Sequence, residues 1–216
     1  MTALIADFFQ TVFGDNVVLA TILIALMPLI ELKGAIPFGM STAFWQAKAL
    51  SAWQAFGFAL LGSCLVVPII ALVFRPIYQW MKTKKFFNKI ADFLVGDVVK
   101  RSQKIDNNAT VRTANRGFWL RVLAVVLFVA FPVPLTGVWT GTCFAILLGL
   151  NFWQTCGSVI FGNVICGLIV TFVCAAFPQA TNYFLYVFLT IILVAVIVKV
   201  VLHCIRRKKV EEGVTE

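Results

Sequence analysis

Acidic residues and histidine are scarce in this chain: nine Asp and Glu stand against 18 Lys and Arg in 216 residues, with a single histidine. That scarcity argues against an enzyme, because there are no paired carboxylates, no histidine in a plausible pocket and no nucleotide-binding glycine loop ahead of a helix. No cofactor and no metal are expected. The six cysteines, Cys64, Cys143, Cys156, Cys166, Cys174 and Cys204, include no Cys-x-x-Cys pair and sit in apolar runs, as small core residues do. His203 lies beside Lys199 near the end of the last apolar run, where both reach lipid headgroups. Met1 to Phe13 lacks a basic n-region and a small-residue cleavage site, so no removable signal peptide is expected. No nucleic-acid motif accompanies the basic charge.

Apolar residues are abundant. The chain is 61% hydrophobic and 12% charged, with a mean hydropathy of +0.97, which places it among all-α polytopic membrane proteins as a single membrane domain, 1–216, in a lipid bilayer. Eleven of the 18 Lys and Arg lie between Arg75 and Arg121, and Arg206, Arg207, Lys208 and Lys209 follow the last apolar run. Basic residues mark the cytoplasmic side. The segment 75–117, read as a basic amphipathic surface helix from Ile77 followed by a polar loop over Arg101 to Asn115, is therefore cytoplasmic, as is the C-terminus. The N-terminus is expected outside, with Thr2 to Phe13 an amphipathic helix on the outer surface.

The stretch Met27 to Met40 puts Glu31, Lys33, Pro28, Pro37, Gly34 and Gly39 into an otherwise apolar run. From Val17 to Ile30 is too short to span a hydrocarbon core of about 30 Å. Val17 to Phe44 is too long for one crossing and too short for two. Broken backbone at membrane depth survives only where protein or a wet cavity satisfies its polar groups, so a re-entrant hairpin with Glu31 near its tip is expected. The run Phe118 to Leu150 has the same awkward length and is broken by Pro132, Pro134, Gly137 and Gly141. It is read as a second hairpin, with Pro134, Gly137 and Gly141 facing Gly34 and Pro37. Lys48 to Phe74, closed by Arg75-Pro76, and Phe152 to Phe177 are crossings, and a C-terminal transmembrane helix is expected over 182–205.

Trp53-Gln54-x-x-Gly57-x-x-x-x-Gly62 recurs as Trp153-Gln154-x-x-Gly157-x-x-x-x-Gly162. The chain is thus read as an inverted repeat, 17–74 and 118–177, each unit a re-entrant hairpin plus a transmembrane helix. Such repeats place a site at the midplane. Glu31 is the candidate proton-coupling or substrate-sensing acid, and Lys33 its helper or an anion contact. An acid in a dehydrated tip is a functional-site hypothesis by default.

Glu31-Leu-Lys-Gly-Ala-Ile-Pro-Phe-Gly39 and Pro132-Val-Pro-Leu-Thr-Gly-Val-Trp-Thr-Gly141 resemble the two signatures of the small multidrug export family of bacterial membrane proteins. That family is similar to the wider DedA and SNARE-associated Golgi protein group, a likeness that implies two re-entrant hairpins facing each other. Members of that group are linked to moving lipids, including polyprenyl phosphates, between leaflets, or to proton-coupled transport. The resemblance implies a bacterial inner membrane location and makes Glu31 the acid of the first tip and Pro134, Thr136 and Gly137 the second tip. DedA members carry an arginine there; here Thr136 and Thr140 stand in that region, and Lys33 is the only base in either tip. The expected function is export of a small molecule, with protons coupled, or translocation of a lipid or polyprenyl phosphate, in a chain to which a homodimer is open. The alternative is a membrane-organising scaffold without transport activity.

Overall fold

A computed structural model describes residues 13, 14, 16–82, 111–133, 136–177 and 190, which hold helices and no strand. The surface helix expected over Thr2 to Phe13 falls outside them but for Phe13, as does most of the basic loop. The crossing expected over 182–205 falls outside them but for Thr190.

Helix α1, Val17–Leu26, opens on Asn16, whose side chain accepts a hydrogen bond from Leu19 N at 3.2 Å. Such a cap satisfies one of the helix's first unpaired amides. Met27 to Ile30 turn the chain and α2, Glu31–Met40, packs back against α1. Each helix has ten residues, or about 15 Å, half a hydrocarbon core. A single helical turn, Thr42–Trp45, and a 3-10 turn, Gln46–Lys48, then lead to α3, Ala52–Lys82. Leu50 N donates to Gly39 O at 2.8 Å and pins this loop to the end of α2.

In the second half, α4 (Val111–Ala130) and α5 (Val138–Leu147) pack together, and α6 runs from Phe152 to Ala176. Helix α5 ends at Gly149, whose φ of 78° suits glycine, with Leu150 N returning to Ala145 O at 3.1 Å. This is the 6→1 closure that stops a helix.

Three boundaries differ from those expected. Arg75-Pro76 does not close the first crossing, because α3 continues through Pro68 and Pro76 to Lys82. A proline removes one donor and crowds one carbonyl, a loss that the flanking turns absorb. The helix of the second hairpin starts at Val111, within the stretch read as a polar loop, since no glycine or proline intervenes before Gly117. Pro37 lies inside α2 rather than at its turn.

Gln54 and Gln154 do the same work at the starts of α3 and α6. Each side-chain oxygen accepts from the backbone amide three residues earlier, Ser51 N at 3.1 Å and Asn151 N at 2.9 Å, the reach-back half of a capping box. Gly62 and Gly162 also play matching parts. A Cβ on Gly62 would strike Ile22 O and Ala25 of α1, and one on Gly162 would lie 2.8 Å from Val126 O and 2.9 Å from Val129 Cβ of α4. Each long helix therefore closes tightly on the first helix of its own hairpin.

The long helices cross at a buried hydrogen bond, Asn163 Nδ2 to Ser63 Oγ, 2.7 Å. Beyond that crossing, Gly167 of α6 faces Phe56 of α3, so the two run antiparallel. Two apolar cores follow from this. Ala55 and Ala59 from the start of α3 join Cys166, Val170 and Cys174 from the end of α6 around the first hairpin. Val66, Val67, Ile70 and Ala71 from farther along α3 join Cys156 and Val159 from the start of α6 around the second. One hairpin is thus seated at each end of the α3–α6 pair. By length and apolar composition, Ala52–Trp80 and Phe152–Ala176 are able to cross a membrane. Leu61, Leu65, Ile69 and Leu72 of α3 and Phe161 and Phe172 of α6 are exposed on their outer faces, as lipid-facing side chains are.

Candidate functional site

The turns of the two hairpins meet. At the first, Leu29 and Glu31 take left-handed backbone, with φ of 82° and 50°. That region is costly for side chains with a Cβ and persists only where surrounding contacts hold it, often at functional positions. For Glu31 the contact is visible. Its carboxylate Oε1 accepts from Trp139 N at 3.2 Å, with the Val138 amide alongside. These are the first residues of α5, so the Glu31 carboxyl sits at the amide end of that helix, where the dipole and unpaired donors favour negative charge. Gly137, just before α5, has extended backbone that any residue could adopt. What glycine leaves there is space: a Cβ would overlap the Glu31 carboxylate, which would have to move.

Lys33 stands one step farther along α2 and also reaches across. Its Nζ donates to Val133 O at 2.7 Å, to Thr136 O at 2.5 Å and to Thr136 Oγ1 at 3.1 Å. Glu31 is 6% and Lys33 3% exposed, so these bonds stand in for the water that burial removes. Acid and base are thus both turned to the facing segment: Glu31 holds amides and Lys33 holds oxygens. Trp139 adds a third tie, its indole Nε1 donating to Leu26 O at 3.3 Å at the end of α1.

The remaining expected site residues separate into two groups. Pro28 is exposed at the first turn and Pro132 half-buried in the second connection. Thr136 is in direct contact with Lys33, whereas Thr140 accepts from Gly137 N at 3.2 Å and caps α5. Gly34 is buried in α2, and Gly39, at the end of that helix, faces Thr21 of α1. Gly141 faces Val129 of α4, inside its own hairpin, rather than Gly34 or Pro37. The reason is geometric, since each lies within a helix a turn or more past the bend. Pro134 falls outside the described residues.

Sequence reasoning missed Val133, Val138 and Trp139, which meet Glu31 and Lys33 through backbone atoms that leave no mark on residue type, although Trp139 also uses its indole. It also missed Ser63 and Asn163. Their signal was present, since they occupy matching places in the Trp-Gln repeat, one residue beyond its second glycine.

Residues 31–169 match a protein family described as "Putative small multi-drug export protein". No curated protein and no solved structure matches the chain.

Proposed function

The chain belongs to this family of small multi-drug export proteins, and from that premise we propose that it is an integral membrane transporter that works through two re-entrant hairpins. The observation that carries the reading is the buried Glu31 and Lys33, each bonded to the backbone of the opposite hairpin where the two turns meet. A charged pair of this kind has no packing role that apolar residues would not fill at lower cost. In this reading the halves form an inverted repeat. Its support is the antiparallel course of α3 and α6, the hairpin at each end of that pair, and the shared Trp-Gln capping.

The protein sits in the bacterial inner membrane with its N-terminus outside and its C-terminus in the cytoplasm, exporting a small molecule or moving a lipid. Glu31 is the coupling acid. While charged it holds the amide end of α5; once protonated it accepts less strongly from those amides, and the second hairpin is free to shift. A membrane potential of about 100 mV is worth about 2.3 kcal/mol per charge moved, some tens of fold in a gradient.

The test is transport by purified protein in liposomes with an imposed pH gradient and a panel of fluorescent cationic and neutral drugs. Glu31→Gln keeps the shape and loses the charge, so it should insert normally and lose gradient-driven export. Wild-type export by Glu31→Gln would remove the coupling role. A folded wild-type protein that moves none of the panel would favour a scaffold that organises membrane without transport.

A further inference from the structure

Three oxygens converge on Lys33 Nζ: the carbonyls of Val133 and Thr136 and the Thr136 hydroxyl. An ammonium has three N–H donors and no acceptor, so this is a full shell for one. The hydroxyl is held in place from behind, within 3.0 Å of Phe131 O and 2.9 Å of Val133 O, and donating its proton to either leaves a lone pair for Nζ. All three ligands are neutral. Neutral carbonyl and hydroxyl oxygens are what proteins use to replace the hydration shell of a monovalent cation at membrane depth, often from unwound backbone between helices.

The shell has two sides. Lys33 enters from the interior, 3% exposed, whereas Val133 is 42% exposed and Thr136 half-buried. The neighbouring Glu31 carboxylate, which interacts electrostatically with Lys33, would receive the lysine once it is displaced.

We infer that the oxygens of Val133 and Thr136 form a binding site for a small desolvated monovalent cation, a primary ammonium group or an alkali-metal ion, and that Lys33 is its tethered occupant. Lys33 is then a competitor for the cationic group rather than a contact for an anion. Displacement turns its ammonium toward Glu31, loosens Glu31 from the amides of α5, and so links cation entry to release of the second hairpin. This deepens the transporter reading by naming the chemical group recognised. Its link to transport rests on that reading, and its test measures binding alone.

The full chain is purified in detergent and its thermal unfolding followed in methylammonium, potassium, sodium or choline chloride at equal ionic strength. Choline is the control, because it has no N–H donor and is too large for a shell sized to Nζ. Lys33→Ala empties the shell, and methylammonium or an alkali ion should then raise its melting temperature saturably, by about 3 °C or more at tenfold excess over Kd. The wild type should not respond, because the tethered ammonium outcompetes a free one. A response to methylammonium alone marks an ammonium site; a response to potassium or sodium marks an alkali-metal site. Adding Thr136→Val should reduce either response. Glu31→Gln with Lys33→Ala removes both buried charges and serves as the second variant. If either folds only when methylammonium or an alkali salt replaces choline during purification, the same result is read as yield. Failure of both variants to distinguish these cations from choline, in melting or in yield, overturns the inference, whatever the transport assay gives.

Discussion

Gly137→Ala is the most exposed point in this account, because a single methyl group has one place to go. The added Cβ would overlap the Glu31 carboxylate, while the extended backbone of Gly137 costs alanine nothing. Either Glu31 leaves the amide end of α5 or α5 moves away from α2. Losing a hydrogen bond to a charged group costs about 1.5–3 kcal/mol, and forcing a packed element aside about 1–3 kcal/mol. The protein takes the cheaper of the two, so a destabilisation of about 1–3 kcal/mol is expected. The assay is reversible unfolding in mixed micelles, run as a double-mutant cycle with Glu31→Ala. Removing the carboxylate vacates the space, so Gly137→Ala should cost at least 1 kcal/mol less in that background. Neighbours in contact couple in this way and distant sites add. Additivity within about 0.5 kcal/mol would refute the contact between the two hairpins.

The paired glycines of the repeat should respond oppositely. Gly162→Ala drives a methyl against Val126 O and Val129 and should cost about 1–3 kcal/mol, whereas Gly157→Ala meets nothing within 4 Å and should gain about 0.5–1 kcal/mol in the same unfolding assay. Asn163→Leu or Ser63→Ala should each lose about 0.6 kcal/mol or more, and the double variant less than their sum, because they share one buried hydrogen bond. Pro76→Ala should preserve the fold and raise the melting temperature, since the helix already runs through that position; a gain of helix by circular dichroism would show that the proline had been ending it.

The turns between paired helices were readable from Pro28 and Pro132, and the shortness of the first pair from its segment lengths, since no helix of ten residues spans a hydrocarbon core. Glu31 and Lys33 were readable as charges in an apolar run, a rare and costly placement. What they bind was not. Apart from the hydroxyl of Thr136, a residue expected at the site, their partners are main-chain groups of Val133, Thr136 and Trp139, and every residue type supplies the same carbonyl, nearly every one the same amide. Proline misled twice, at Pro37 and Pro76, because local breaking power says nothing about the packing that holds a helix through the break. The Trp-Gln repeat was visible as identities, and its physical content, the glutamine cap and the glycine contact with the preceding hairpin, needed coordinates.

Cysteine accessibility in oriented vesicles tests the architecture most directly, on a background with all six native thiols replaced. Asn16 and Lys48 flank the first hairpin, and Gly149 and Gly117 bracket the second. If each hairpin enters and leaves by one face, single cysteines at Asn16 and Lys48 label only from outside and those at Gly117 and Gly149 only from the cytoplasmic side. Labelling of Asn16 and Lys48 from opposite sides would make the first pair of helices a crossing and would contradict the account.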